Sequence, residues 1–144
     1  MKYQFFPLSS SAQWEWVKSE CHAIACEDSQ GIVAYRNEKI VAAVVADTFT
    51  PDTCQVHIAI SDPMVLRHGF LDEVGTHLFI TCNRTRIFGV VPANNLRALK
   101  FDTNIGFTEV ARVPNGHCTG IDSVVMVMER ETSRWIKPLQ EVAA

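Results

Sequence analysis

The chain lacks the marks of a disulfide scaffold, a membrane span and a nucleic-acid binder. Its five cysteines are an odd number and none forms a C-x-x-C pair, so neither a disulfide framework nor a paired zinc ribbon is written into it. Cys21-His22-x-x-x-Cys26 brings a histidine between two cysteines but has no second half at zinc-finger spacing, and no metal is expected. Cys21, Cys26, Cys54, Cys82 and Cys118 read as reduced thiols of a cytoplasmic protein. The longest apolar run, Ile40 to Ala46, is too short to cross a bilayer. Tyr3 to Leu8, interrupted by Pro7, is too short for the apolar core of a signal peptide. No membrane partner is expected. Positive charge is also scarce: a net charge of −3 argues against nucleic acid, which is held by clustered Lys and Arg. No repeat, low-complexity stretch or Gly/Pro-rich linker divides the chain.

What is present is globular. A chain of 144 residues, 47% hydrophobic and 20% charged, can bury a core of its own. It reads as one domain over 1–130, followed by a tail or arm over 131–144 that contains Trp135 and Pro138. Tyr3 to Leu8 suits a first strand, and Ser9, Ser10 and Ser11 offer caps for a helix carrying Trp14, Val17 and Cys21. Trp14 and Trp16, two apart, cannot share one helix face. Ala23 to Gln30 fits either a loop or a short helix. Gly31–Tyr35 and Ile40–Phe49 form a hairpin around the polar turn 36–39. Thr53 to Ser61 alternates, with Val56, Ile58 and Ile60 on one face and His57, Ala59 and Ser61 on the other. A helix over Phe70 to Cys82 buries Leu71, Val74, Leu78 and Phe79. Arg86 to Val91 is a short apolar strand buried on both faces. A second amphipathic helix follows from Asn94, then strands Phe107–Val113 and Asp122–Glu129 joined by the loop Pro114–Gly120. The order β-α-β-β-β-α-β-α-β-β excludes a helical bundle and a pure sandwich.

One stretch carries more than structure. In NNLRALKFDTNIGF, Asn94 to Phe107, an asparagine caps a helix, Leu96, Leu99 and Phe101 supply its apolar side, and Gly106 closes it in left-handed geometry. Asn95, Arg97, Ala98, Phe101, Gly106 and Phe107 resemble, in register, the second signature of the GNAT N-acetyltransferase superfamily. The resemblance is specific from about Cys54 to Val113. It implies an α+β fold, mixed α/β, with a mostly antiparallel central sheet of six to seven strands flanked by helices. It implies acetyl-CoA as co-substrate and a primary amine of a small molecule or protein as acceptor. One position departs from the pattern: Asp102 stands where active members carry the tyrosine that protonates the departing thiolate.

The resemblance also implies a site. The backbone from Ile58 to Ile60 would pair with the pantetheine arm, with Asn95 beside it. The pyrophosphate would meet the amides of a loop-to-helix start, here Leu66-Arg67-His68-Gly69-Phe70-Leu71. Gly69 holds the first glycine position of that motif, whereas Leu66 and Leu71 replace its polar and small residues. Arg67, Gly69 and Phe70 are the residues that would hold the diphosphate. Acyl transfer also needs a base, and His57 and Asp102 are the candidates. A histidine has the right proton affinity near neutrality, and one on a sheet face is also commonly satisfied by a neighbour. Asp102 suits either an oriented water or plain exposure. His117 and Cys118 are adjacent in the loop before the last strand, but adjacent side chains rarely aim at each other. The substituted loop and the missing tyrosine leave a second reading open, a GNAT-like binding module without catalysis. Ser61 to Gly69 is loosely similar to small GNAT-like proteins of tailed phages, some of them virion components. Exposed strand edges make a homodimer plausible.

Overall fold

The computed structural model describes residues 2–136. Seven strands form one sheet in the order β1-β2-β3-β4-β5-β7-β6, numbered along the chain. They are Tyr3–Pro7, Gln30–Arg36, Lys39–Asp47, Thr53–Ile60, Arg86–Pro92, Thr108–Cys118 and Ile121–Glu129. Every neighbouring pair is antiparallel except β4 and β5, which run parallel. The element order and the mostly antiparallel sheet are those expected from the sequence.

Helix α1, Ser11–Glu20, starts at Ser10, whose side chain and that of Gln13 cap each other's backbone. Trp14 and Trp16 are both half-buried on the flanks of this helix. Residues 22–26 carry no regular element, so the ambiguous stretch before β2 is a loop. Asn37 and Glu38 both take left-handed geometry in the β2–β3 turn, the twist that a two-residue hairpin requires. Helix α2, Phe70–Gly75, runs on as a π-helical segment, Thr76–Thr81. Helix α3, Leu96–Ile105, ends at Gly106 with φ 119°.

Two layers of side chains flank the sheet. The larger gathers Val44, Cys54, Val56, Phe70, Val74, Leu78, Phe79, Ile87, Val91, Phe107 and Met126, with Ala98, Leu99 and Phe101 of α3 packed against it. The smaller, beneath α1, holds Val17, Cys21, Ala23, Val33, Ala43 and Val45. Thus α2 and α3 cover one face, and α1 covers part of the other.

Three expectations change. Strand β6 continues through Pro114 to Cys118, so the loop expected at 114–120 shrinks to a tight turn at Thr119 and Gly120. Bulges after Glu109 and Val113 absorb the extra residues, and Asn115 is tied to Asp122 through its amide at 3.0 Å. Strand β5, expected to be buried on both faces, is open on one, where Val90 is 44% exposed. The chain after Arg130 does not stand away as an arm as far as it is described. Trp135 is 3% exposed and its Nε1 donates to the Ile105 carbonyl at 2.9 Å. Pro138 lies outside the described residues.

Candidate active site

The parallel pair is short. Strands β4 and β5 are in register only at Thr53–Arg86, Cys54–Ile87 and Gln55–Phe88. Beyond that point β4 still pairs with β3 as far as Ile60, and β5 still pairs with β7 as far as Pro92. The two halves of the sheet therefore part between Val56–Ile60 and Gly89–Pro92. From Val56 on, the edge of β4 that faces β5 has no strand partner, which leaves a ladder for an extended ligand to pair with. Gly89 sits at the fork, where a Cβ would stand 3.5 Å from the Val56 carbonyl oxygen. Such an opening at the carboxyl ends of parallel strands is where sheets of this kind take ligands. Ile58 and Ile60 line it from β4, with their side chains half-buried toward the α2 layer.

Around one end of the opening lies the 3-10 turn Pro63–His68 and the start of α2. Asp62 holds that turn by accepting from the Met64 amide at 3.0 Å, the Tyr3 hydroxyl at 2.7 Å and Arg36 at 3.0 Å. These donors pull its carboxyl below the usual carboxylate range, the Tyr3 hydroxyl foremost. Gly69 has φ 87° and open space around it, so a ligand can approach its backbone. Arg67 is exposed and makes no ion pair among the described residues. The substitutions in the motif have a packing cause, because Leu66 and Leu71 both lean on the core. Asp72 and Glu73 occupy the first turn of α2, where they complement the helix dipole themselves and oppose an incoming anion.

Asn95 caps α3, its side-chain oxygen accepting from the Ala98 amide at 3.1 Å. Its NH2 group is the part left to meet a ligand.

His57 and Asp102 lie on different layers. His57 points to the α1 side, where it stands opposite Val45. Its Nε2 lies 3.0 Å from Oδ2 of Asp47, a carboxylate only 4% exposed. Thr48 Oγ1 donates to the other Asp47 oxygen at 2.9 Å. A carboxylate against Nε2 selects the Nε2–H tautomer and leaves the Nδ1 lone pair to take a proton. Asp102 belongs to α3 on the other layer, and burial pushes its carboxyl up to about 6. A carboxyl raised that far exchanges its proton near neutrality, where it is mostly ionised with a minor protonated fraction, so it can act as base or as acid.

The sequence reading missed Asp47. Its one signal was a lone carboxylate ending an otherwise apolar segment from Ile40. His117 and Cys118 are exposed and neither bonds the other. Burial pushes the Cys21 and Cys54 thiols up to about 12, so they are inert. Among the described residues no group of three His, Cys, Asp or Glu side chains could hold a metal ion, and no helix is long and apolar enough to cross a membrane. Two surface concavities lie away from the opening. One of about 330 Å³ is lined by Asp52, Arg86 and Glu131, and one of about 210 Å³ by Phe6, Glu73 and His77. Neither gathers the groups that acyl transfer needs.

No protein-family model and no curated protein matches the chain. Solved structures do. Spermidine/spermine N-acetyltransferase SpeG of Vibrio cholerae, in complex with manganese ions, superposes with a TM-score of 0.72 at 10% identity, over 90% of this chain and 94% of its own. A GNAT family acetyltransferase from Elizabethkingia anophelis with acetyl-CoA bound gives 0.70 at 12% identity, over 88% and 97%. The ribosomal-protein-S18-alanine N-acetyltransferase of Escherichia coli gives 0.68 at 16%, over 89% and 94%. At such identities the likeness concerns architecture alone: the chain has the GNAT acyltransferase fold, a seven-stranded, mostly antiparallel sheet flanked by helices.

Proposed function

We propose that the chain is an acetyl-CoA-dependent N-acetyltransferase that acylates a primary amine of a small molecule or protein. The observation that carries this reading is the opening between β4 and β5, with an unpaired strand edge on one side and a histidine–carboxylate pair beside it. An extended arm fits that edge without any specific side chain. The Elizabethkingia structure, of the same fold, has acetyl-CoA bound.

When bound, acetyl-CoA supplies a thioester already activated toward amines. The backbone of Ile58 to Ile60 pairs with its arm, the Asn95 NH2 group borders it, and Arg67 with the amides after Gly69 meets the diphosphate. His57 takes a proton from the incoming ammonium, which for a lysine-like amine at neutral pH offsets a cost of roughly 4 kcal/mol. The freed nitrogen lone pair forms the C–N bond as the C–S pair leaves on sulfur. Asp102 gives its carboxyl proton to that sulfur, and the second nitrogen proton passes to water. Proton transfers of this kind contribute about 10²–10⁴-fold.

A second reading, a GNAT-like module that binds without catalysis, phage-borne or otherwise, is favoured by Asp72 and Glu73 at the helix start and by Leu66 and Leu71 turned into the core. Thermal shift separates the two. At 100 times its dissociation constant, acetyl-CoA should add about 2.7 kcal/mol, a rise of several degrees, and Arg67→Glu should shrink that rise without lowering the melting point of the free protein. No rise at millimolar acetyl-CoA would overturn the enzyme reading.

A further inference from the structure

The sheet is covered unequally. Phe88 and Val90 of β5, with Val125 and Val127 of β7, belong to neither buried layer. Register puts Phe88 opposite Val127 and Val90 opposite Val125. Ala111 extends the Val90–Val125 row onto β6, and Val113 stands in the next row, opposite Ser123. Val90 and Val113 are 44% and 50% exposed. These side chains point to the α1 side, where α1 packs chiefly over β3 and they join no buried cluster. An open apolar patch of this kind marks a place where something binds.

Its borders define the occupant. The ion pair Arg86–Glu129, 2.8 Å apart, closes the end where β4 and β5 are still joined. Beside the patch, across the opening, stand His57 and the buried Asp47, level by register with Val90 and Phe88 respectively. Thr48, next to Asp47, is a β-branched residue held at φ 53°, a strained geometry that persists only where its surroundings enforce it. No charged residue lies among Phe88, Val90, Val125, Val127, Ala111 and Val113. A cation therefore finds Asp47 at the opening, and a second cation lying over Val125 and Val127 meets no carboxylate, because the acids Asp52, Glu129 and Glu131 gather around Arg86 at the joined end.

We propose that this face is the acceptor site and that the acceptor is a primary amine on an apolar body. Its nitrogen meets Asp47–His57 and its hydrocarbon lies over Phe88, Val90, Val125 and Val127. The proposal rests on the acetyltransferase reading for its chemistry and on the sheet face alone for its location. Amines with a second positive charge at their far end are disfavoured, because that charge would lie against valine side chains.

Two measurements test it on the full chain. With acetyl-CoA, kcat/KM for 2-phenylethylamine should exceed that for 1,4-diaminobutane by at least about tenfold, and Val90→Asp should remove the advantage. Without acetyl-CoA, 2-phenylethylamine should shift the valine methyl resonances of Val90, Val125 and Val127. Methyl shifts without turnover would keep the site and overturn the acetyltransferase reading. Turnover without those shifts, or a preference for the diamine, would overturn the site and leave the reading standing. A dimer by sedimentation that Val90→Asp splits into monomers would also overturn it, by showing that a second copy covers the face.

Discussion

Asp102 lies half-buried in the last turn of α3, where burial pushes its carboxyl up to about 6 and the negative end of the helix dipole adds to the penalty on its charge. The folded state then holds this proton more tightly than the unfolded chain, whose carboxyl titrates at 3.8. Unfolding releases the proton between those two values, so stability falls as pH rises from about 4 to about 6 and stays lowered above. At 1.36 kcal/mol per pKa unit, and allowing for partial exposure, the cost at neutral pH is about 2 kcal/mol. Asp102→Asn should therefore raise the melting point by several degrees at pH 7 and leave it unchanged at pH 3.5, below both values. Equal gains at both pH values would trace the effect to packing and remove the basis for a proton-holding carboxyl. If Asp102 is the proton donor, the same variant also loses about 10²-fold in kcat, so that stability rises as activity falls.

Among the elements, the β4–β5 fork sets what the molecule can bind, and Gly89 lies at its apex. A Cβ there meets only the Val56 carbonyl oxygen, at the ordinary contact distance of 3.5 Å. Gly89→Ala should thus cost the fold nothing and gain some tenths of a kcal/mol from the stiffer unfolded chain. Its methyl projects toward the layer of Ile87 and Val91, where an arm paired with β4 would pass. A several-fold rise in KM for acetyl-CoA, with an unchanged or higher melting point, is expected. An unchanged KM would place the arm elsewhere. The fork itself was not legible in the sequence, because parting strands look locally like paired ones: Val56, Ile58 and Ile60, all past the last β5 pairing, alternate as cleanly as a strand paired on both edges. Legible were the strands with strict alternation, the Asn95 cap and the Gly106 stop, each fixed by chemistry within a few residues. The partner of His57 was hidden for the same reason that the burial of the Phe70 side chain was. Both are settled by which strand or helix comes to lie alongside, and single-residue patterns carry no such information.

At the scale of the whole molecule, the chain is closed by a residue that the sequence assigns to its tail. Trp135 meets three distant parts of the fold: its Nε1 donates to Ile105 at the end of α3, its ring lies edge-on to Phe107 at 5.9 Å, and its backbone lies against Gly75 at the end of α2. A Cβ on Gly75 would stand 2.6 Å from the Trp135 Cβ, closer than two such atoms can approach. Helix α2, helix α3 and the start of β6 are therefore keyed together at one point. Trp135→Ala should cost about 3–5 kcal/mol, a large share of the 5–15 kcal/mol that a domain has in all. Gly75→Ala should cost about 1–3 kcal/mol by overpacking, against the small gain that alanine brings at an ordinary helical site. The two changes should not add. The Trp135 Cβ and backbone remain in Trp135→Ala, but the emptied ring site lets them retreat, so the Gly75 methyl is accommodated. Denaturant unfolding of both single variants and the double should give a total at least about 1 kcal/mol below the sum. Strict additivity would mean that the two residues do not share this space, and the end of the chain could then be removed with little loss to the opening between β4 and β5.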